Sequence, residues 1–328
     1  MSDALVSPPV FVATGAVSLA LLGVAAWKVK HAKNDRREAD GDSERIVPLM
    51  GVMGAFVFAA QMINFSIPGT GSSGHLVGGI LLSAILGPWA ALITLASVLV
   101  IQCLAFADGG FMALGANILN MAVFSCLVAY PLIFRPLMKP DASPGRILAA
   151  SVLASVAGLE LGALAVTVET EAAGITALPM GQFLLFMLPI HLFIGIGEGL
   201  ATAEVIYVVQ RYKPELLSGV CRRKPAGKRK FGKALAAIAL AALLIGGSFS
   251  WVASSDPDGL EGSIAKGAGP AGPEAEPDGL HRTAAAVQEK TAVMPDYNTS
   301  FAGIVGCGAI LLVVFGASRL FRAGQKQG

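Results

Sequence analysis

Residues 47–79 read VPLMGVMGAFVFAAQMINFSIPGTGSSGHLVGG. The first part is a charge-free apolar run of helical length. It gives way at Ser66–Gly74 to Gly, Ser, Thr and Pro, and then to His75 at the head of a second apolar run. Only a bilayer or a deep protein core accommodates runs of this kind, and their recurrence along the chain decides between the two. Of 328 residues, 54% are hydrophobic and 14% charged, and the mean hydropathy is +0.67. That charge is too sparse to clothe a soluble protein of this size. Aromatic residues are few (7%), while 39 glycines suit closely packed membrane helices.

The apolar runs predict spans at 8–27, 46–65, 76–88, 89–107, 112–134, 147–168, 181–209, 234–253 and 301–320. The third is short, and Pro189 predicts a kink in the seventh. The fold class is therefore an all-α polytopic membrane protein, with about seven transmembrane helices followed by two in a C-terminal unit. No cleavable signal peptide is expected, because no basic residue precedes the first run.

Lys and Arg set the orientation. Segments 28–45, 135–146 and 211–233 and the C-terminal tail hold 21 of the 24. Nine helices with an outside N-terminus place those four segments in the cytoplasm, as the positive-inside rule requires, and leave the C-terminus cytoplasmic. Asp256, Asp258, Glu261, Glu274, Glu276 and Asp278 fall on the opposite face. The expected units are 1–210, a basic cytoplasmic linker at 211–233, and 234–328, with two spans around a polar extracytoplasmic loop. That loop repeats a turn-forming Pro-Asp-Gly-Leu at 257–260 and 277–280.

Several chemistries lack their first requirement. Residues 227–234 have the spacing of a phosphate-binding loop, but Ala234 stands where a Mg²⁺-binding hydroxyl is needed, and no buried strand is expected before it. We therefore expect no nucleotide site on this chain. There is no HExxH and no GxSxG. Cys103, Cys126, Cys221 and Cys307 form no CxxC pair and read as small buried hydrophobes.

His75 is the leading metal-ligand candidate. It lies where helix gives way to loop near membrane depth, and non-helical backbone survives there only against protein or a cavity. Imidazole suits nickel, cobalt and copper. Gln102, Asp108, Asn117 and Asn120 are expected at the same depth, either as interhelical hydrogen-bonding groups or as partners that orient metal ligands. His191 and Glu198 share one face of the seventh span, and Glu160 lies in the sixth. Packing is the plainer reading of that pair. The alternative is an ion-coupled secondary transporter, although no inverted repeat accompanies it.

The chain resembles the CbiM/NikM type of substrate-binding subunit of energy-coupling-factor cobalt and nickel importers. The similarity rests on Ser7-Pro8-Pro9, the 47–79 stretch quoted above, GPWAALI (87–93), FADGGFMALGANILNM (106–121) and PIHLFIGIGEGL (189–200). SSDPDGLE (254–261) and MPDY (294–297) resemble the small N-type accessory subunit, the PDGLE domain, fused behind the first unit.

The resemblance implies a non-enzymatic substrate-capture subunit of the prokaryotic plasma (inner) membrane. Its cargo would be Co²⁺ or Ni²⁺. Its partners would be a transmembrane coupling subunit, two cytoplasmic ATPase subunits and the lipid bilayer, with no nucleic acid. It also implies a near-planar nitrogen site built from the N-terminal amine, the amide and imidazole of a second-position histidine, and the imidazole matched by His75. Asn64, Gln102 and Asn117 would surround it. Here Ser2 occupies the second position and Met1 matches the family's third residue, so the start codon is expected two codons upstream. A chain that truly began at Met1 would offer the Met1 amine and His75 and bind metal weakly.

Overall fold

The computed structural model describes residues 1–37, 46–139, 141–174, 179–217, 228–248, 254, 256–268, 279–295 and 303–312. The phosphate-loop look-alike (in part), Cys221, the C-terminal basic tail, Pro277-Asp278 of the second repeat and the end of MPDY lie outside them, as do the last residues of the two C-terminal spans.

Helices occupy every expected span. They are α1 (Pro8–Arg37), α2 (Ile46–Gln61), α3 (Gly79–Leu86), α4 (Pro88–Phe106), α5 (Leu114–Leu137), α6 (Pro144–Ala173), α7 (Met180–Tyr212), α8 (Lys228–Ser248) and α11 (Gly303–Leu312). Five of them, Pro8–His31 within α1 and then α4, α5, α6 and α7, are long and apolar enough to cross a bilayer. The α1 window is only 22% buried, and Val12, Leu19 and Trp27 project outward, as a lipid-facing helix requires. Pro189 lies inside the continuous helix α7. From Ile118 to Phe134, α5 is wound as a wider helix with i→i+5 bonds, down to Arg135 N–H donating to Tyr130 O.

Glycine lets these helices approach closely. A Cβ on Gly199 would lie 2.4 Å from the Val152 Cα, and one on Gly195 would lie 2.7 Å from the Val156 Cα. Two glycines four residues apart on α7 thus press directly onto the α6 backbone, the small-xxx-small contact of membrane bundles. Gly162 of α6 meets the Asn120 carbonyl of α5 in the same way, at 2.6 Å.

Two expected spans are modified. The helix expected over 46–65 stops at Gln61, and the chain forms an antiparallel hairpin of β1 (Phe65–Ile67) and β2 (Ser72–Gly74), with Ser66 opposite Ser73. Gly69 and Gly71 take positive φ in its turn, so the Pro- and Gly-rich composition favours a reversal over a further helical turn. The span expected over 76–88 is helical for only eight residues. That is about 12 Å, less than half of a bilayer core. It pairs with the non-helical stretch from His75 to Gly78, and α4 begins immediately after Gly87 (φ 82°). The result is a broken crossing in which non-helical backbone lies within the bundle.

The C-terminal helices pack on α2. The Cys307 thiol of α11 donates to the Ala55 carbonyl at 3.3 Å, and a Cβ on Gly303 would collide with Gly246 of α8. Between α8 and α11 lie two short helices that the sequence reading did not separate from the polar loop, α9 (Gly259–Ala268) and α10 (Gly279–Thr291). Both sit at the hairpin end of the molecule, together with the N-terminal residues and the α4–α5 connection.

Candidate metal-capture site

His75 follows β2 directly and is half-buried. Its Nδ1 lies 3.1 Å from the Leu76 carbonyl. A carbonyl can only accept, so this contact calls for a proton on Nδ1 and leaves Nε2 as the ring nitrogen outside it. The segment behind it is clamped by three helices. Glu198 Oε2 of α7 accepts the Val77 N–H at 2.7 Å, Gln61 Nε2 of α2 donates to the Val77 carbonyl at 2.8 Å, and Gln102 Nε2 of α4 donates to Gln61 Oε1 at 2.9 Å. Gln102, expected to orient metal ligands, therefore reaches His75 only through Gln61 and Val77.

Met1 is fixed from the α4–α5 side. Its carbonyl accepts the Gly110 N–H at 3.0 Å and Asn117 Nδ2 at 3.2 Å. Asp3 Oδ1 accepts the Ala113 N–H at 3.0 Å, which ties down the following turn. Met1 packs against the apolar cluster of Ala163, Val166, Phe183 and Met187. Gly74, next to His75, meets Ile194 so closely that a Cβ would lie 2.4 Å from it. The His75 segment thus leans on α7 at Ile194, and Met1 packs on the cluster to which Met187, two turns earlier on the same helix, belongs.

Among the remaining polar candidates, the Asn64 carbonyl accepts the Ser254 N–H at 2.8 Å, which links it to the C-terminal unit. Asp108 N–H donates to the Gln102 carbonyl at 3.0 Å. Asn120 Nδ2 donates at 2.7 Å to Glu169 Oε2, a buried acid at the end of α6 that the sequence reading passed over. The apolar run simply continues into Val-Glu-Thr-Glu there, so Glu169 reads as the start of a polar loop. His191 Nδ1 pairs with its own helix at the Met187 carbonyl, 2.8 Å away. Among the described residues, no group of three or more His, Cys, Asp or Glu side chains is placed to hold a metal ion.

The C-terminal unit covers this end. Ser73 N–H donates to Pro257 O at 2.8 Å, and Ser73 Oγ to Asp256 O at 2.7 Å. Asp258 Oδ1 accepts the N–H groups of Leu260 and Glu261, both at 2.8 Å, and so caps α9. Lys266 Nζ donates to the Thr70 carbonyl. From α10, His281 Nε2 reaches the carbonyls of Asp3 and Val6 at 3.1 and 3.0 Å, and Gln288 Nε2 donates to Gly109 O at 2.7 Å. The first Pro-Asp-Gly-Leu copy therefore leads into the helix over the His75 hairpin, and Gly279-Leu280, the described part of the second, begins the helix over the N-terminal segment.

A family described as the cobalt uptake substrate-specific transmembrane region matches residues 1–216. The chain belongs to this family. A PDGLE domain matches residues 232–323, on the other side of the basic segment. The chain is 30% identical over 321 residues to the "Putative fused nickel transport protein NikMN" of Archaeoglobus fulgidus, covering 93% of each. It is 33% identical to the "Fused nickel transport protein NikMN" of Rhodobacter capsulatus, covering 90% of this chain and 88% of that one. A solved structure titled as a truncated transition metal transporter aligns with a TM-score of 0.53 at 32% identity, covering 65% of this chain and 98% of that one. Family membership and the apolar helices together make the chain a multi-pass membrane protein.

Proposed function

We propose that this chain captures a divalent cobalt or nickel ion as cargo at the hairpin end of the bundle, and that this end faces outward. The observation that carries the reading is His75. Its Nδ1 is engaged by the Leu76 carbonyl and its Nε2 is left over, on a clamped non-helical segment inside a membrane bundle. Neutral imidazole with amine or amide nitrogens is a donor set suited to Ni²⁺ and Co²⁺. Residues 1–210 hold the cargo, 211–233 form a cytoplasmic linker, and 234–328 form the accessory unit. Release inward is driven by a separate coupling subunit and two cytoplasmic ATPase subunits.

Calorimetric titration of Ni²⁺ and Co²⁺ into the purified full chain carrying the expected Met-His start tests the site. His75→Ala abolishes binding of both ions if the reading is right. Binding that survives the substitution removes His75 from the site.

A further inference from the structure

We propose that Glu198 is the positioning residue of the capture site, holding the His75 segment in register through the Val77 peptide. This rests on the capture reading above.

The segment from His75 to Gly78 is neither helix nor strand, so its peptide groups lack the internal partners that membrane-depth backbone requires. The Val77 peptide is satisfied entirely by side chains from other helices. Glu198 takes its N–H through Oε2 at 2.7 Å. Gln61 takes its carbonyl and is itself oriented by Gln102. Gly78 is the N-cap of α3, so the carboxyl sits where backbone N–H groups converge at a helix start.

A cavity of about 480 Å³ lies against Leu76 and Gly78, with Phe56, Phe65, Glu198 and Ile245 among its walls. Beside this space, the bonds to Glu198 and Gln61 fix the Val77 backbone two residues from His75. Glu198 is 1% exposed, and its second oxygen, Oε1, is buried without a hydrogen-bond partner. The carboxyl is thus committed to this one stretch of backbone. It touches no metal donor and acts two residues away from His75.

The test is Ni²⁺ titration of the full chain, read as affinity and as the visible absorption of the bound ion, with apo thermal midpoints alongside. Groups that orient a metal ligand typically carry 10- to 100-fold in affinity. Glu198→Ala is expected to weaken Ni²⁺ binding by about that factor and to shift the absorption at saturating metal, which reports coordination geometry. Glu198→Gln keeps an acceptor oxygen and recovers part of the loss. If Glu198→Ala does not fold, Gln61→Leu removes the other half of the clamp and is read in the same way. Wild-type affinity and spectrum with only a lowered apo midpoint overturn the positioning role. Loss in His75→Ala without loss in the Glu198 variants overturns this proposal alone, whereas unchanged binding in His75→Ala overturns the capture reading beneath it.

Discussion

The backbone N–H of Ser73 donates to the carbonyl of Pro257 at 2.8 Å, which joins two residues 184 positions apart. The signature turn of the C-terminal unit is thereby hydrogen-bonded to the hairpin that presents His75. Gly259 makes the seat possible, because a Cβ there would lie 2.9 Å from Ile190 and 3.2 Å from His191. Gly259→Val is expected to cost about 1–3 kcal/mol of docking, as overpacking does elsewhere. Trypsin cleavage at Lys266 should then accelerate severalfold in the folded protein, and an unchanged rate would show that the seat is not needed.

Anchoring of residue 1 makes a second prediction. Asn117→Leu deletes the donor to the Met1 carbonyl and leaves the Gly110 N–H in place. A hydrogen bond of this kind contributes about 1 kcal/mol net. Ni²⁺ affinity should fall by roughly fivefold, with the apo thermal midpoint little changed. Identical affinity would mean that the position of residue 1 does not matter to the ion.

Membrane orientation is open to a labelling test. Cys103, Cys126 and Cys307 are buried, so Cys221→Ser provides a quiet background. Thr70→Cys, at the hairpin turn, should react with an impermeant maleimide in intact cells. Ser143→Cys, exposed at the opposite end, should react only after permeabilisation. The reverse pattern would invert the orientation.

Acid–base behaviour is predicted at α9. The neighbouring Asp258 carboxylate, and to a lesser degree burial, hold Glu261 above its ordinary value of 4.5. A raised carboxyl contributes stability while protonated, and that contribution is lost as pH rises through the raised value. Glu261→Gln, which removes the repulsion, should therefore raise the thermal midpoint near neutral pH. The advantage should vanish once the parent is protonated below its ordinary value. A constant difference at all pH values would assign the effect to something other than charge.

Helix contact is the last. Gly199→Leu places a branched side chain where the Val152 backbone already stands. Cores forced to accept extra volume lose about 1–3 kcal/mol, so the detergent-solubilised chain should melt earlier and yield less folded protein.

The long apolar runs made the membrane helices legible, because twenty uncharged residues have few other fates. The hairpin and the half-length α3 were less so, since Gly, Ser and Thr mark a departure from helix without saying which way the chain turns. His75 stood out because its imidazole interrupts an apolar context. Glu198 did not declare a role, since its partner Val77 lies 121 residues earlier and offers only a backbone N–H. Glu169 went unnoticed for the same reason, its meaning residing in Asn120 on another helix. Side chains that serve a distant backbone leave no periodic or spacing signal.

Because hairpin and accessory turn belong to one polypeptide, the segment around Asp256–Lys266 meets its seat at an effective concentration on the order of millimolar. A contact too feeble to hold two separate chains together is favoured here by the shared chain. Cutting the chain within 211–233 would remove that tether and leave the packing of α8 and α11 on α2 to hold the accessory turn near the hairpin.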